Sequence, residues 1–314
     1  MAITNDRLEP PQRLVRTLSA DPAADEAARR WLTDLPDIAQ EWLTRWELTP
    51  ERVQCPGGRT SMVVLVRQAD GTPAALKLSP PGGTTAAEHA ALAHWDGRSA
   101  VRPLRVDAEG EDGALLLERL HADVSLRSLA EQKAQLEAAA TLQRLWVAPP
   151  AEGHPLPSVT EHSAALAGEL RAWRELPWAA DARELLDEAV GLRDGLTADA
   201  PAEPPVLLHG EYHQGNVLAA DRVPWLAIAP RPLVGERAYD LAWLVRDRLD
   251  TLLAAPGAAA AARRRVTKLA DSLEVDAERL RGWTVFRATA AGMRELSLGA
   301  RGQGELLLEF ADLL

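Results

Sequence analysis

The chain has 314 residues, 46% hydrophobic and 26% charged: enough to bury a large core, and ordinary for a globular protein rather than a disordered one. A formal charge of -11 excludes a general nucleic-acid binder, which needs clustered Lys and Arg, and leans toward small cationic partners. The single cysteine, Cys55, excludes an internal disulfide and fits a reducing compartment.

The opening MAITNDRLEPPQRL is polar and has no apolar signal-peptide core. From Asp21 to about Trp46, Ala28, Trp31, Leu32, Leu35, Ile38, Trp42 and Trp46 recur at helical spacing, which predicts two helices broken near Pro36. The texture then changes. MVVLV (62–66), AALKL (74–78) and ALLLE (114–118) are short, apolar and bounded by turn signals, ADGTP and EGEDG among them. They predict strands of a small, mostly antiparallel sheet, interrupted by one helix, TTAAEHAALAHW (84–95). After Leu120, stretches near 125–147, 160–175, 180–196, 237–253, 258–272 and 276–296 carry apolar residues three and four apart and predict helices. Only VLLHG and PWLAIA read as strands in that half, and APPAEGHPLPS (148–158) reads as a surface loop. No apolar run approaches the roughly 20 residues of a membrane helix, so a cytoplasmic protein without a membrane partner is expected. The expected class is α+β, with a small β-rich lobe over residues 1–120 and a larger helical lobe over 121–314.

The chemistry concentrates in LLHGEYHQGNVL (207–218), for which three readings compete. His209 and His213 suggest zinc, but a helical zinc site needs H-E-x-x-H, whereas Gly210 follows His209 and no third ligand is near. A polar turn whose His and Asn side chains cap backbone groups is the plain alternative. The third reading is phosphoryl transfer: Glu211 and Asn216 are five apart, the spacing of an acid that orients a hydroxyl and an asparagine that binds Mg²⁺. Context supports it. CPGGRTS offers Gly57, Gly58, Thr60 and Ser61 as a turn before a strand, Lys77 lies on the next strand, and Glu88 on the following helix is placed to pair with it.

HGEYHQGNVL and PWLAIAPRPLVGERAYDLAWLVRDRL, with PGGRTS, ALKLSPPG, AAEHAALAHWDGRSAVRPL and LLLERL, resemble the streptomycin 6-kinase and hydroxyurea phosphotransferase branch of the aminoglycoside phosphotransferase family. The resemblance spans about residues 25–297. It implies a bilobal, protein-kinase-like fold, ATP bound between the lobes, and phosphorylation of a hydroxyl on a small polar antibiotic, aminoglycoside-like and cationic. On that resemblance Lys77 holds the α- and β-phosphates and Glu88 fixes Lys77. The backbone from Glu118 to Leu120 meets adenine, His209 shapes the loop, Asp240 braces it, and Asn216 ligates Mg²⁺.

Two positions depart from the family pattern. Glu211 stands where the family loop H-G-D has its acid, and Ala229 where its I-D-P segment has a metal-binding aspartate. A methyl group offers no oxygen to a cation that demands oxygen ligands, so impaired catalysis is an expectation alongside activity. Glu211 or Glu236 are then possible replacement donors. The alternatives are a pseudokinase with a binding or regulatory role, or reuse of the fold for another biosynthetic reaction. Trp173, Trp178, Trp225 and Trp243 read as core anchors, and Cys55 as a small buried apolar residue.

Overall fold

The computed structural model describes residues 8–20, 26–82, 85–107, 113–151, 153–199, 201–254 and 256–314. The chain divides into two compact units: residues up to Ser125 with Leu218–Ile228, and Leu126–Val217 with Ala229–Leu314.

The first unit is built on alternation. In β2 (Met62–Arg67), β3 (Pro73–Leu78) and β5 (Ala114–Glu118), every second residue turns to one side: Met62, Val64, Val66; Ala74, Leu76, Leu78; Ala114, Leu116. That face packs on α1 (Gln12–Ala20) and α2 (Glu26–Arg45), which supply Leu14, Leu18, Trp31, Leu35, Ala39, Trp42 and Leu43. The sheet runs β1-β2-β3-β5-β4, with β1 (Thr49–Val53) and β4 (Pro103–Asp107) at its edges and every neighbour antiparallel. Lys77, between Val63 and Leu115 in register, points to the face opposite the helices. A second sheet, β6 (His121–Ser125), β8 (Val217–Ala219) and β9 (Trp225–Ala227), carries the chain's late return to this unit.

The second unit is helical: α4 (Glu131–Leu145), α5 (Val159–Arg174), α6 (Arg183–Ala198), α7 (Arg237–Val245), α8 (Leu249–Leu253), α9 (Ala258–Leu273), α10 (Ala277–Ser297) and α11 (Arg301–Asp312). Between Leu280 and Met293, α10 is buried on nearly all sides, and α5, α6, α7, α9 and α11 pack around it. Ser158 caps α5 in a reciprocal capping box with Glu161. A two-stranded ladder of β7 (Val206–Leu208) and β10 (Leu233–Gly235) presents the following loop.

The α+β class and the antiparallel strands at 62–66, 74–78 and 114–118 agree with expectation. Several details differ. Pro36 does not break the second helix, which runs unbroken over Glu26–Arg45; its buried stripe continues on both sides of the proline and offsets the missing hydrogen bond. The stretch 21–25, the first residue of the 84–95 helix and most of EGEDG lie outside the described residues. The helix expected over 237–253 is two, α7 and α8, separated at Arg248, whose φ of +56° is left-handed. The strands β1, β4, β6, β8 and β10 and the helices α1 and α11 were not expected. Cys55 is exposed, because it sits in a turn rather than in the core. None of the four tryptophans is fully buried, and Trp178 stands 47% exposed on a short 3₁₀ turn. Among the described residues no helix is long and apolar enough to cross a membrane.

Candidate active site

In the first unit, α3 (Thr85–Trp95) presents Glu88, buried, toward the strand that carries Lys77. Lys77 Nζ donates to Glu88 Oε1 at 2.7 Å and to Oε2 at 2.5 Å, with both side chains nearly excluded from solvent. A lysine fixed in this way offers a point charge whose geometry is set before any phosphate arrives. The turn joining β1 and β2 holds Gly57, Gly58, Thr60 and the buried Ser61. Gly57 has a φ of +73°, and a Cβ there would meet the Pro11 side chain at 2.7 Å, so the position tolerates only glycine. Glu118 is engaged rather than free. Its carboxylate accepts from the Arg102 amide at 2.8 Å and from Arg222 Nη2 at 2.8 Å, and its own amide donates to the Arg102 carbonyl. Leu120, at the end of that segment, is buried.

In the second unit the 209–216 loop is held at both ends by carboxylates of the α7 region. Asp240 is fully buried; its Oδ2 accepts from the His209 amide at 2.9 Å and its Oδ1 from the Gly210 amide at 2.8 Å, and Trp146 Nε1 donates to it as well. Seven residues on, Asp247 accepts from the Gln214 amide at 2.7 Å and pairs with Arg127. Burial pushes the Asp247 carboxyl above its ordinary value, opposed by the Gln214 amide and Arg127. Arg248 Nε donates to the Gln214 side-chain oxygen at 2.9 Å. Gly210, at φ +79°, lies so close to the chain beyond β9 that a Cβ would fall 1.8 Å from the Arg231 carbonyl.

Both histidines of the loop serve its backbone. His209 Nδ1 accepts from the Glu211 amide and His213 Nδ1 from the Gly215 amide. Among the described residues no group of three His, Cys, Asp or Glu could hold a metal ion, so the zinc reading falls. Asn216 Nδ2 donates to the Glu211 carbonyl at 3.0 Å, which leaves its side-chain oxygen directed away from that bond. Glu211 Oε2 pairs with Arg231 Nε at 2.9 Å. Ala229 has a φ of +53°, in the left-handed region. Glu236 is no spare donor: its carboxylate takes two bonds of 2.7 Å from Arg279 and one from Trp283 Nε1.

Arg231, Asp247, Arg248 and the buried Arg287, which donates to the Gly210 carbonyl at 2.6 Å, were not singled out from the sequence. Only Asp247 had a legible signal, the seven-residue spacing that places it on the Asp240 face of a helix.

The family model for aminoglycoside/hydroxyurea antibiotic resistance kinases matches residues 45–299. A streptomycin 6-kinase of Streptomyces glaucescens is 34% identical over 300 residues, covering 95% of this chain and 94% of that one. A hydroxyurea phosphotransferase of Kitasatospora aureofaciens is 38% identical over 304 residues, covering 92% and 81%. Among solved structures, a choline/ethanolamine kinase family protein from Mesorhizobium loti superposes with a TM-score of 0.60 at 15% identity, covering 88% of this chain and 94% of that one, which shows the kinase-like fold. With relatives aligned over nearly its whole length and a family model spanning both the Lys77–Glu88 pair and the 209–216 loop, the chain belongs to the aminoglycoside/hydroxyurea antibiotic resistance kinase family.

Proposed function

We propose that the protein transfers the γ-phosphoryl group of ATP to a hydroxyl of a small polar molecule. The observation that carries this reading is the buried Lys77–Glu88 ion pair, a preset phosphate contact, in a chain whose 209–216 loop is separately clamped by Asp240. Lys77 would hold the α- and β-phosphates, with Gly57, Gly58, Thr60 and Ser61 lining the turn over them and the backbone of Glu118 to Leu120 meeting adenine. Glu211, the acid of the loop, would accept the hydroxyl proton on its carboxylate. The relatives named for streptomycin and hydroxyurea support a small hydroxylated acceptor, and the formal charge of -11 supports cationic character in part of it.

The donor set fits Mg²⁺ poorly. Asn216 supplies one side-chain oxygen, the Glu211 carboxylate is already in an ion pair, and Ala229 supplies only backbone. Bound Mg²⁺ would neutralise charge on the phosphates, with Asn216 its contact from the loop.

Thermal unfolding with ATP tests the reading. A ligand at a hundred times its Kd stabilises by about 2.7 kcal/mol, so a clear upward shift is expected with the unmodified chain and its loss in Lys77→Ala. No shift with ATP, with or without Mg²⁺, rejects the proposal. A shift without phosphorylation of streptomycin, hydroxyurea or other hydroxylated amines favours the pseudokinase reading, which the pairing of Glu211 and the methyl group at Ala229 motivate.

A further inference from the structure

The backbone from Glu118 to Leu120 is a connector. β5 ends at Glu118 in the five-stranded sheet and β6 opens at His121 in the three-stranded one, so Arg119 and Leu120 pass from one sheet to the other. Such a passage is ordinarily the mobile part of a fold, because it belongs to neither ladder. Here one side chain spans it. Arg222, in the segment turning from β8 to β9, reaches back to the end of β5: its Nε lies 3.0 Å from Glu118 Oε2 and its Nη2 2.8 Å from Oε1. The same guanidinium donates from Nη1 to the Gly97 carbonyl at 2.6 Å and from Nη2 to the Ala100 carbonyl at 2.8 Å. Only the planar, many-donor fork of an arginine meets a carboxylate and two carbonyls at once.

The segment at the other end of this grip is itself tied to Glu118 and to β9. The Glu118 amide donates to the Arg102 carbonyl at 3.0 Å, and the Glu118 carboxylate accepts from the Arg102 amide at 2.8 Å. The Val101 amide donates to the Ala227 carbonyl, and the Ala227 amide to the Ser99 carbonyl, both at 2.9 Å. The turn that offers Gly97 and Ala100 to Arg222 is strained, with Asp96 at φ +46° and Ser99 at φ +58° in the left-handed region. Residues persist there only where their surroundings over-determine them, and Arg222 supplies two of the bonds that do so. Along the connector, Arg119 donates to the Ala74 and Val66 carbonyls at 3.0 Å each, and His121 pairs with Asp221, the neighbour of Arg222, at 2.8 Å. Arg222 is thus the link that joins the end of β5, the turn after α3 and the β8–β9 segment.

We propose that Arg222 is the positioning residue of the adenine-binding backbone: by holding the Glu118 carboxylate and the Gly97 and Ala100 carbonyls together, it sets the Glu118–Leu120 connector in the shape that receives the base. The base meets backbone, not Arg222. What Arg222 contributes is order established before the nucleotide arrives, which would otherwise be subtracted from affinity. The assignment rests on the phosphotransfer reading. It concerns the base end alone: Lys77 and Glu88 hold the phosphate end, and Glu88 lies in the first turn of α3, whereas Arg222 bonds to the turn beyond its last residue.

The probes are ATP and inorganic tripolyphosphate, the phosphates without a base, titrated calorimetrically into the full chain and its variants. In Arg222→Gln the affinity for ATP is expected to fall at least about tenfold while that for tripolyphosphate stays within about twofold; Arg222→Lys, which keeps the charge but not the fork, should fall between. Unchanged affinity for ATP in Arg222→Gln overturns the proposal. So does an equal loss for both probes, which is what a merely structural role gives. Where Arg222→Gln shows no cooperative unfolding transition, Glu118→Gln decides by the same comparison. It leaves Arg222 on its two carbonyls and removes the charge from the pair, and ATP alone is expected to weaken. Failure of the unmodified chain to bind ATP rejects the phosphotransfer reading and the adenine role with it, whereas ATP binding that Arg222→Gln retains in full rejects the positioning role alone.

Discussion

The sharpest local conflict between residue and backbone is Ala229. A non-glycine residue in the left-handed region costs roughly 1–2 kcal/mol, because Cβ crowds the following carbonyl, and Ala229 sits there at φ +53°. Asparagine and aspartate tolerate that region better than alanine, so the backbone suits the aspartate of the family pattern more than the methyl group present. Ala229→Gly should therefore raise stability by about 0.5–1 kcal/mol, the relieved strain less the added freedom of the unfolded chain, as read from urea unfolding. Ala229→Asp should fold at least as well and make ATP-dependent stabilisation more responsive to Mg²⁺. A lower midpoint for both variants would show that the backbone is not strained at this residue. Legibility at this scale is uneven. Gly210, Glu211 and Asn216 stand out because glycine, acid and amide within a few residues form a recognisable loop. Arg231, Arg248 and Arg287 do not, since what marks them is contact with the loop, Arg231 on Glu211, Arg248 on Gln214 and Arg287 on the Gly210 carbonyl, a property of tertiary structure in a chain with arginines throughout.

Among the elements, α7 and the turn after it do the most for the site. Asp240 and Asp247 lie seven residues apart on one side, and together they take up three loop amides, those of His209, Gly210 and Gln214. Hydrogen bonds to a charged group contribute about 1.5–3 kcal/mol each, and a buried amide left without its acceptor costs a similar amount. Asp240→Asn replaces one acceptor oxygen with an NH₂ that faces an N–H donor, and should destabilise by about 2–4 kcal/mol in chemical denaturation. Asp247→Asn keeps one oxygen for the Gln214 amide, so its loss should be smaller, about 1–2 kcal/mol. Equal losses would mean that the loop is not gripped from two ends. The break between α7 and α8 belongs to the same device. Apolar spacing reads 237–253 as one helix, because Arg248 is left-handed for a reason that lies far along the chain: its guanidinium reaches the Gln214 side chain and the Leu129 carbonyl. Pro36 shows the reverse case, a local breaker overridden by a continuous buried stripe. The strands β1, β4, β6, β8 and β10 escaped the sequence because they are short or half-exposed, and edge or isolated ladders leave little alternation to read.

For the molecule as a whole, net charge and local charge point in opposite directions, and acidity separates them. Lowering pH from 7 toward the sequence pI of about 5.2 removes the net charge of -11 and so relieves self-repulsion, which taken alone would stabilise the fold. Buried histidine opposes this. His162 is pulled from 6.5 to about 4 by burial and by Arg287 and Arg231, and His89 is lowered by burial. A base whose pKa is lower folded than unfolded leaves the native state with fewer bound protons, so stability rises with pH through the window from about 4 to 6.5 and is lost as pH falls through it. Between pH 7 and 5.2 His162 alone accounts for a loss on the order of 1–2 kcal/mol. The carboxylates held low by their partners, Glu51 by Arg119 and Asp187 by Arg174, extend the loss only further into acid. Urea unfolding at the two pH values should thus show the chain less stable near its pI than at pH 7. His162→Phe, which keeps a ring against Tyr239, should flatten most of that difference. Equal or greater stability at pH 5.2 in the unmodified chain would mean that His162 is not held neutral by burial beside Arg287 and Arg231.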